Sequence, residues 1–226
     1  MFKKSSFCSL IILASMLTAC GGGGGGGGGS SAGGEVGTGI RVLHAAIDVV
    51  PVDVISTAKE GVIVPQAVFA VSSSYRSLPS GTQVLSLTTA FNSTQVIATL
   101  NLDVSSDSRH SIVLYGDNQS RGTQTKLLND QLPESFTGGL IRIVNGATGA
   151  AALSVSTPTD SLTVDFGASS QYVNATPGVV QVVSRVALDG AIVTTNALTV
   201  EEGRAYTVLI AGEVGYYAKG VVFSDN

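Results

Sequence analysis

The sequence predicts an all-β protein: two tandem antiparallel β-sandwich domains of immunoglobulin-like or transthyretin-like type, behind a lipoprotein signal and a glycine-rich linker. Three observations carry this. From about residue 40 onward, short runs rich in Val, Ile, Thr and Ala alternate with clusters of Gly, Pro, Asn and Asp, the pattern of short strands and turns. No window in that stretch sustains a helical period. The runs also recur, because the chain matches itself at a separation of about a hundred residues.

Taken from the start, residues 1–19 read as a secretory signal. Lys3 and Lys4 supply a positive n-region and 7–17 a short apolar run. That run is below the roughly 18 residues a membrane-spanning helix needs. Leu17-Thr18-Ala19-Cys20 has the form of a lipobox, which makes Cys20 the expected lipidation site and ties the chain to a membrane through its acyl groups. Residues 20–39 are then the lipidated cysteine and a Gly/Ser-rich linker that opens with nine consecutive glycines, 21–29. Glycine has no side chain to bury and loses much backbone entropy on ordering, so the segment reads as a flexible tether of roughly 25 Å r.m.s. reach. The absence of Asp after Cys20 points to the outer membrane if the source is Gram-negative; in either case the expected place is the cell envelope.

The strand runs expected downstream are 40–44, 52–55, 68–72, 82–88, 94–102 and 109–116, then 140–145, 162–165, 179–187, 205–211 and 216–223. Ile40-Arg41-Val42-Leu43-His44 aligns with Ile141-Arg142-Ile143-Val144-Asn145. Tyr75, Pro79 and Gly81 align with Tyr172, Pro177 and Gly178, and 111–116 with 207–212. The offset shrinks from 101 to 97 to 96, as loop deletions in the second copy would produce. The expected units are therefore 40–132 and 136–226. One continuous sheet shared by both is the competing arrangement.

The residues that carry this repeat also carry a resemblance. Arg41-Val42-x-His44-Ala45-x-x-Asp48, Val52-Asp53-Val54, Tyr75 and Pro79-x-Gly81 resemble the bacterial family known as domain of unknown function 4397. The resemblance implies a β-sandwich, tandem copies and a secreted or lipid-anchored location, and implies no activity. Ile47 departs from the family's usual Pro, and the second copy departs further, with Asn145 for His and Ser154 for Asp.

Composition narrows the chemistry. Without Lys3 and Lys4 the chain holds ten basic against sixteen acidic residues, which argues against nucleic acid as a partner. Its two cysteines are Cys8, within the signal, and Cys20, so no disulfide or cysteine metal site is expected in the folded part. His44 and Asp48 are the weak candidates for a metal or acid–base site. Asn145 at the position of His44 favours a structural role instead, as does the capacity of such residues to bond loop backbone. Glu201 and Glu202 read as a hairpin turn. Asp103, Asp107, Asp117 and Asn118 lack the spacing of a calcium loop. Tyr75 and Tyr172 read as packing tyrosines whose hydroxyls bond a neighbouring turn. Adjacent residues of a strand face opposite ways, so one of Tyr216 and Tyr217 is expected to be exposed and to mark a contact surface.

No serine lies in a nucleophile elbow, and no cofactor loop occurs, so no catalytic residue and no cofactor are expected. The expected function is a non-catalytic binding module of the envelope whose partner is an envelope or extracellular protein or a glycan. Two alternatives stand beside it: a self-assembling structural component and, less favoured, a hydrolase.

Overall fold

The computed structural model describes residues 39–226. The signal segment, Cys20 and the linker lie outside the described residues. All described residues fall within one compact unit, Gly34–Asn226. They form strands, turns and loops, with no helix among them. The first half contains β1 Gly39–His44, β2 Val52–Ser56, β3 Lys59–Ala67, β4 Gly81–Thr89, β5 Asn92–Val104, β6 Arg109–Gly116 and β7 Thr123–Asn129. The second contains β8 Gly139–Asn145, β9 Ala152–Ser156, β10 Ser161–Asp165, β11 Val173–Ala175, β12 Gly178–Val186, β13 Ile192–Val200, β14 Ala205–Glu213 and β15 Tyr217–Ser224.

The two halves have the same topology. In the first, a sheet ordered β1-β6-β7 packs on one ordered β3-β2-β4-β5; in the second, β11-β8-β14-β15 packs on β10-β9-β12-β13. No strand ladder joins the halves. Pairing is antiparallel except at β1–β6 and β8–β14, which are parallel. Parallel neighbours need a long crossover connection, which the strands of the opposite sheet supply in each half.

Alternation explains the two cores. Val52 and Val54 of β2 and Leu85 and Leu87 of β4 point inward against Ile40, Val42, Ile112 and Leu114. Leu153, Val155, Val180 and Val182 do the same against Ile141, Ile143, Val208 and Ile210. By contrast, β1 and β8 are buried along their whole length. Their second face meets a third apolar cluster, in which Leu43, Ala45, Val113, Tyr115 and Leu128 of the first half meet Val144, Leu209 and Ala211 of the second.

Beyond the expected runs the structure adds β3, β7, β9, β11 and β13, and it makes one of those runs a loop. Residues 68–72 form a loop that touches β1 by one bridge, Leu43↔Ser72. The strand lies just before, as β3, whose Gly61 and Pro65 argue against a strand in sequence; it is an edge strand with irregular register, where proline is tolerated. The polar β7 and the uncharged β13 are also strands. The last strand starts at Tyr217, so Tyr216 belongs to the preceding turn.

Polar groups lock the halves at the end where β1 and β8 begin. Arg41, 2 % exposed, donates through Nε to Ser111 Oγ (2.7 Å) and through Nη2 to Asp225 Oδ1 of the other half. Arg142, 3 % exposed, donates through Nη2 to Asp130 Oδ1 of the first half (2.6 Å) and to Thr207 Oγ1 (3.0 Å). The second oxygen of each aspartate accepts two hydroxyls at 2.6–2.8 Å: Tyr75 and Ser111 on Asp130, Tyr172 and Thr207 on Asp225. Each arginine thus reaches across to the other half's aspartate. A buried charge is tolerated only when paired and hydrogen-bonded, and both conditions are met on each side.

Candidate functional site

The apolar and polar lock brings the loops at the opposite end together. A hydrogen bond from Gly212 N to Ala45 O (3.2 Å) ties the end of β14 to the end of β1. Three loops converge there: residues 45–51 after β1, residues 117–122 between β6 and β7, and the β14–β15 turn. Gly116 and Gly212 are counterparts at φ +96° and +97°, where a side chain would strike the carbonyl of the returning strand. Glycine is the residue that can take this backbone, and it lets each hairpin close tightly.

Between the loops lies a cavity of about 260 Å³, lined by Ile47, Asp48, Asp117, Ser120, Glu213 and Tyr216 among others. Both halves contribute to it. Asp117 Oδ1 accepts the backbone N–H of Gln119 (2.9 Å) and Arg121 (2.9 Å) and that of Ser120 (2.5 Å), and Oδ2 accepts the Ser120 hydroxyl at 2.6 Å. The Ser120 hydroxyl, with these N–H groups, holds the Asp117 carboxyl down at about 2. Asp48 accepts the Asn118 N–H through both oxygens, at 2.9 and 3.0 Å, so it braces the neighbouring loop. Glu213 sits beside Thr148, whose N–H bonds Gly212 O (2.8 Å) and whose carbonyl accepts from Val214 N (2.9 Å). Tyr216 is 85 % exposed at the mouth.

The expected candidates separate here. His44 is fully buried below the loops, with Nε2 3.5 Å from Val50 O and Nδ1 without a partner. Burial pushes its imidazolium pKa down from the ordinary range. The Phe69 ring meets it edge-on at 6.3 Å and in turn meets Tyr217 at 6.0 Å. Asp48 bonds Asn118, so the structure does not join His44 and Asp48 in one site. Among the described residues no three His, Cys, Asp or Glu side chains cluster as metal ligands. Tyr216 and Tyr217 are both exposed, the second by half, because strand alternation begins only at Tyr217. Glu201 and Glu202 do lie in a turn, where Glu202 accepts the Gly138 N–H.

Sequence reasoning passed over Arg41, Arg142, Asp130 and Asp225. The signal was present: an arginine inside an otherwise apolar run, at the same place in both copies, with an aspartate near the end of each copy. It was unreadable because the partners lie 184 residues apart in one pair and 12 in the other.

A family model, the domain of unknown function DUF4397, matches residues 38–156, more than half of the chain. The chain belongs to this family. The DUF4397 match covers β1 to β7 and continues through β8 and β9. It therefore takes in Arg41, Asp130 and Arg142 of the lock and Asp48 and Asp117 of the cleft; Asp225, Glu213 and Tyr216 lie beyond it. No curated protein matches the chain.

Proposed function

We propose that this DUF4397 protein is a non-catalytic binding module of the bacterial cell envelope, anchored through acyl chains on Cys20, and on the outer membrane where the source is Gram-negative. The observation that carries the reading is the loop-end cleft. Three loops from two locked halves enclose an acidic cavity, and an aromatic ring stands uncovered at its mouth. Rigid scaffolds commonly place recognition on such loops, and tyrosine offers a large contact area with a polar tip. The partner is an envelope or extracellular protein or a glycan. A flexible tether raises the effective concentration of such a head near its membrane.

Capture of a partner from the organism's own surface extract, followed by identification of the captured species, tests this. Tyr216→Ala should weaken capture severalfold with the thermal midpoint unchanged. A hydrolytic activity that survives repurification and disappears with His44 would sink the binding reading. The anchor has its own test: palmitate labelling should vanish in Cys20→Ala.

One observation favours a second reading, self-assembly. β5 pairs with β4 alone and carries no charge from Asn92 to Leu102. Its counterpart β13 is partly covered by β15, where Asn196 Nδ2 donates to Gly220 O at 2.9 Å. Uncovered, uncharged edges invite strand addition. Sedimentation that shifts with concentration would support this reading over the first.

A further inference from the structure

A cavity of about 280 Å³ crosses the seam between the halves, beside the lock. The first half supplies Asn129 and Gln131 from the end of β7, and the second supplies Arg142 and residues 169–172. Both walls are held from behind. Tyr172 donates its hydroxyl to Asp225 Oδ2 (2.8 Å), Ser170 Oγ accepts the Ile143 N–H (2.9 Å), and Asn129 Oδ1 accepts the Gln131 N–H (2.9 Å). The frame of the cavity is therefore set before any ligand arrives.

The charge on this lining is already matched. Arg142 is its one charged residue, and Asp130 holds that guanidinium at 2.6 Å. A cation entering here meets no free carboxylate, and an anion competes with Asp130 for Arg142. What remains open is uncharged hydrogen-bonding capacity. The Gln131 and Gln171 amides, Asn129 Nδ2 and the Ser169 hydroxyl have no hydrogen-bond partner among the described residues. Arg142 is 3 % exposed, yet its Nη1, with two hydrogens, has one acceptor, Asn129 O at 3.1 Å. An amide offers a donor and an acceptor side by side, which is what a hydroxyl group needs. The Tyr172 ring and Leu127 add apolar wall. The volume falls just below the roughly 300–1,000 Å³ of small-molecule pockets, which suits one ring-sized ligand.

The first copy differs at the same place. Ser73 and Ser170 are counterparts, each accepting an N–H of β1 or β8 through Oγ, so Ser74 stands where the second copy has Gln171. The Tyr75 ring carries two guanidinium groups, Arg41 at 4.8 Å and Arg109 at 4.5 Å from its centroid, whereas Tyr172 carries Arg142 alone, at 4.7 Å.

We propose that this cavity binds a neutral sugar residue. The Gln131 and Gln171 amides bridge neighbouring hydroxyls, Arg142 Nη1 donates to a sugar oxygen, and the C–H face of the ring lies against Tyr172 and Leu127. The site lies at the other end of β7 from the loop cleft, so it goes beyond the binding reading above.

Titration of the full-length protein with the methyl glycosides of glucose, galactose, mannose and N-acetylglucosamine tests this. The readout is NMR of the Tyr172 ring and of the Gln131 and Gln171 side-chain amides. Cyclohexanol serves as a ring with a single hydroxyl, and glucuronate and glucosamine as sugars of either charge. Saturable shifts are expected with at least one neutral glycoside, weaker binding with both charged sugars, and no shift with cyclohexanol. Gln171→Ser installs the first copy's residue at an exposed position. It should weaken binding about tenfold, as loss of one good hydrogen bond would, with the thermal midpoint unchanged. Tighter binding of either charged sugar, equal shifts with cyclohexanol, undiminished binding in Gln171→Ser, or no saturable shift at Tyr172 with any of the four glycosides would each overturn the proposal. Shifts confined to Tyr216 and the 117–122 loop would also overturn it, while supporting the loop cleft as the binding site.

Discussion

At the scale of single residues, Arg41 decides more than any exposed group. It is buried against a carboxylate from the other half and a serine from its own. Removing one member of such a pair leaves the other charged and buried, at a cost of about 3–5 kcal/mol. Arg41→Met should lower the free energy of urea unfolding by that order, and a change below about 1 kcal/mol would show that water reaches the site. His44 behaves differently. Its counterpart Asn145 donates to Val164 O (3.0 Å) and accepts from Ala147 N (3.2 Å). His44→Asn should therefore fold and lose about 1 kcal/mol, the typical worth of one hydrogen bond, with the lost Phe69 contact included. His44 also gives a pH signature. Its folded pKa lies below the unfolded value of about 6.5, so the unfolded chain takes up the proton first. Stability is full above that value and falls as the pH drops through the folded pKa. His44→Asn should flatten the thermal midpoint between pH 7 and 5 relative to wild type.

At the scale of elements, the sequence was a good guide at several strands whose burial is one-sided, although β9, with the same alternation, was not among the expected runs. The runs at 52–55, 82–88 and 179–187 correspond closely to β2, β4 and β12 because alternation marks a strand with one wet face. It failed at β3 and β7, which are edge strands, where tertiary pairing overrides a Gly, a Pro or a polar composition. Half of the loop cleft was legible. Tyr216 and Tyr217 could be flagged as adjacent aromatics, but the acidic wall of Asp48, Asp117 and Glu213 comes from two loops and the end of β14, far apart in sequence. The 117–122 loop should respond to acid as a unit. The Asp117 pKa is depressed to about 2, so its stabilisation is present above about 4 and is lost as the pH falls towards 2. Protection of the Gln119, Ser120 and Arg121 amides, taken relative to their intrinsic exchange rates, should fall across that window, and Asp117→Asn should bring the loss of protection to neutral pH. Unchanged protection in the variant would mean that the Gly116 and Gly122 turns alone hold the loop.

At the scale of the whole molecule, two copies of one sandwich pack into a single compact unit. Tandem domains usually meet through modest polar interfaces and move relative to one another. Here the faces of β1 and β8 that point away from each sandwich are buried in a common apolar cluster, and two arginines cross the seam in opposite directions. Each aspartate takes two hydroxyls from its own half, but its hydrogen-bonded arginine comes from the other: Arg142 for Asp130 and Arg41 for Asp225, with Arg41 Nε a further 3.8 Å from Asp130 Oδ2. Burial also pushes the Tyr75 and Tyr172 phenols above their ordinary range, so both remain neutral donors to those carboxylates at any physiological pH. A half separated from its partner would expose the third cluster and leave one arginine and one aspartate without their cross-partners. The expected result is one cooperative unfolding transition rather than two. Arg142→Met, although it lies in the second half, should lower the urea midpoint reported by Tyr75 and by Tyr172 equally. Amide NMR intensities from both halves, followed through the same titration, check this, since the two curves should coincide in wild type and variant alike. If the β8–β15 signals melted first in Arg142→Met while β1–β7 kept the wild-type midpoint, the halves would be independent and the crossed pairs would serve only to orient them.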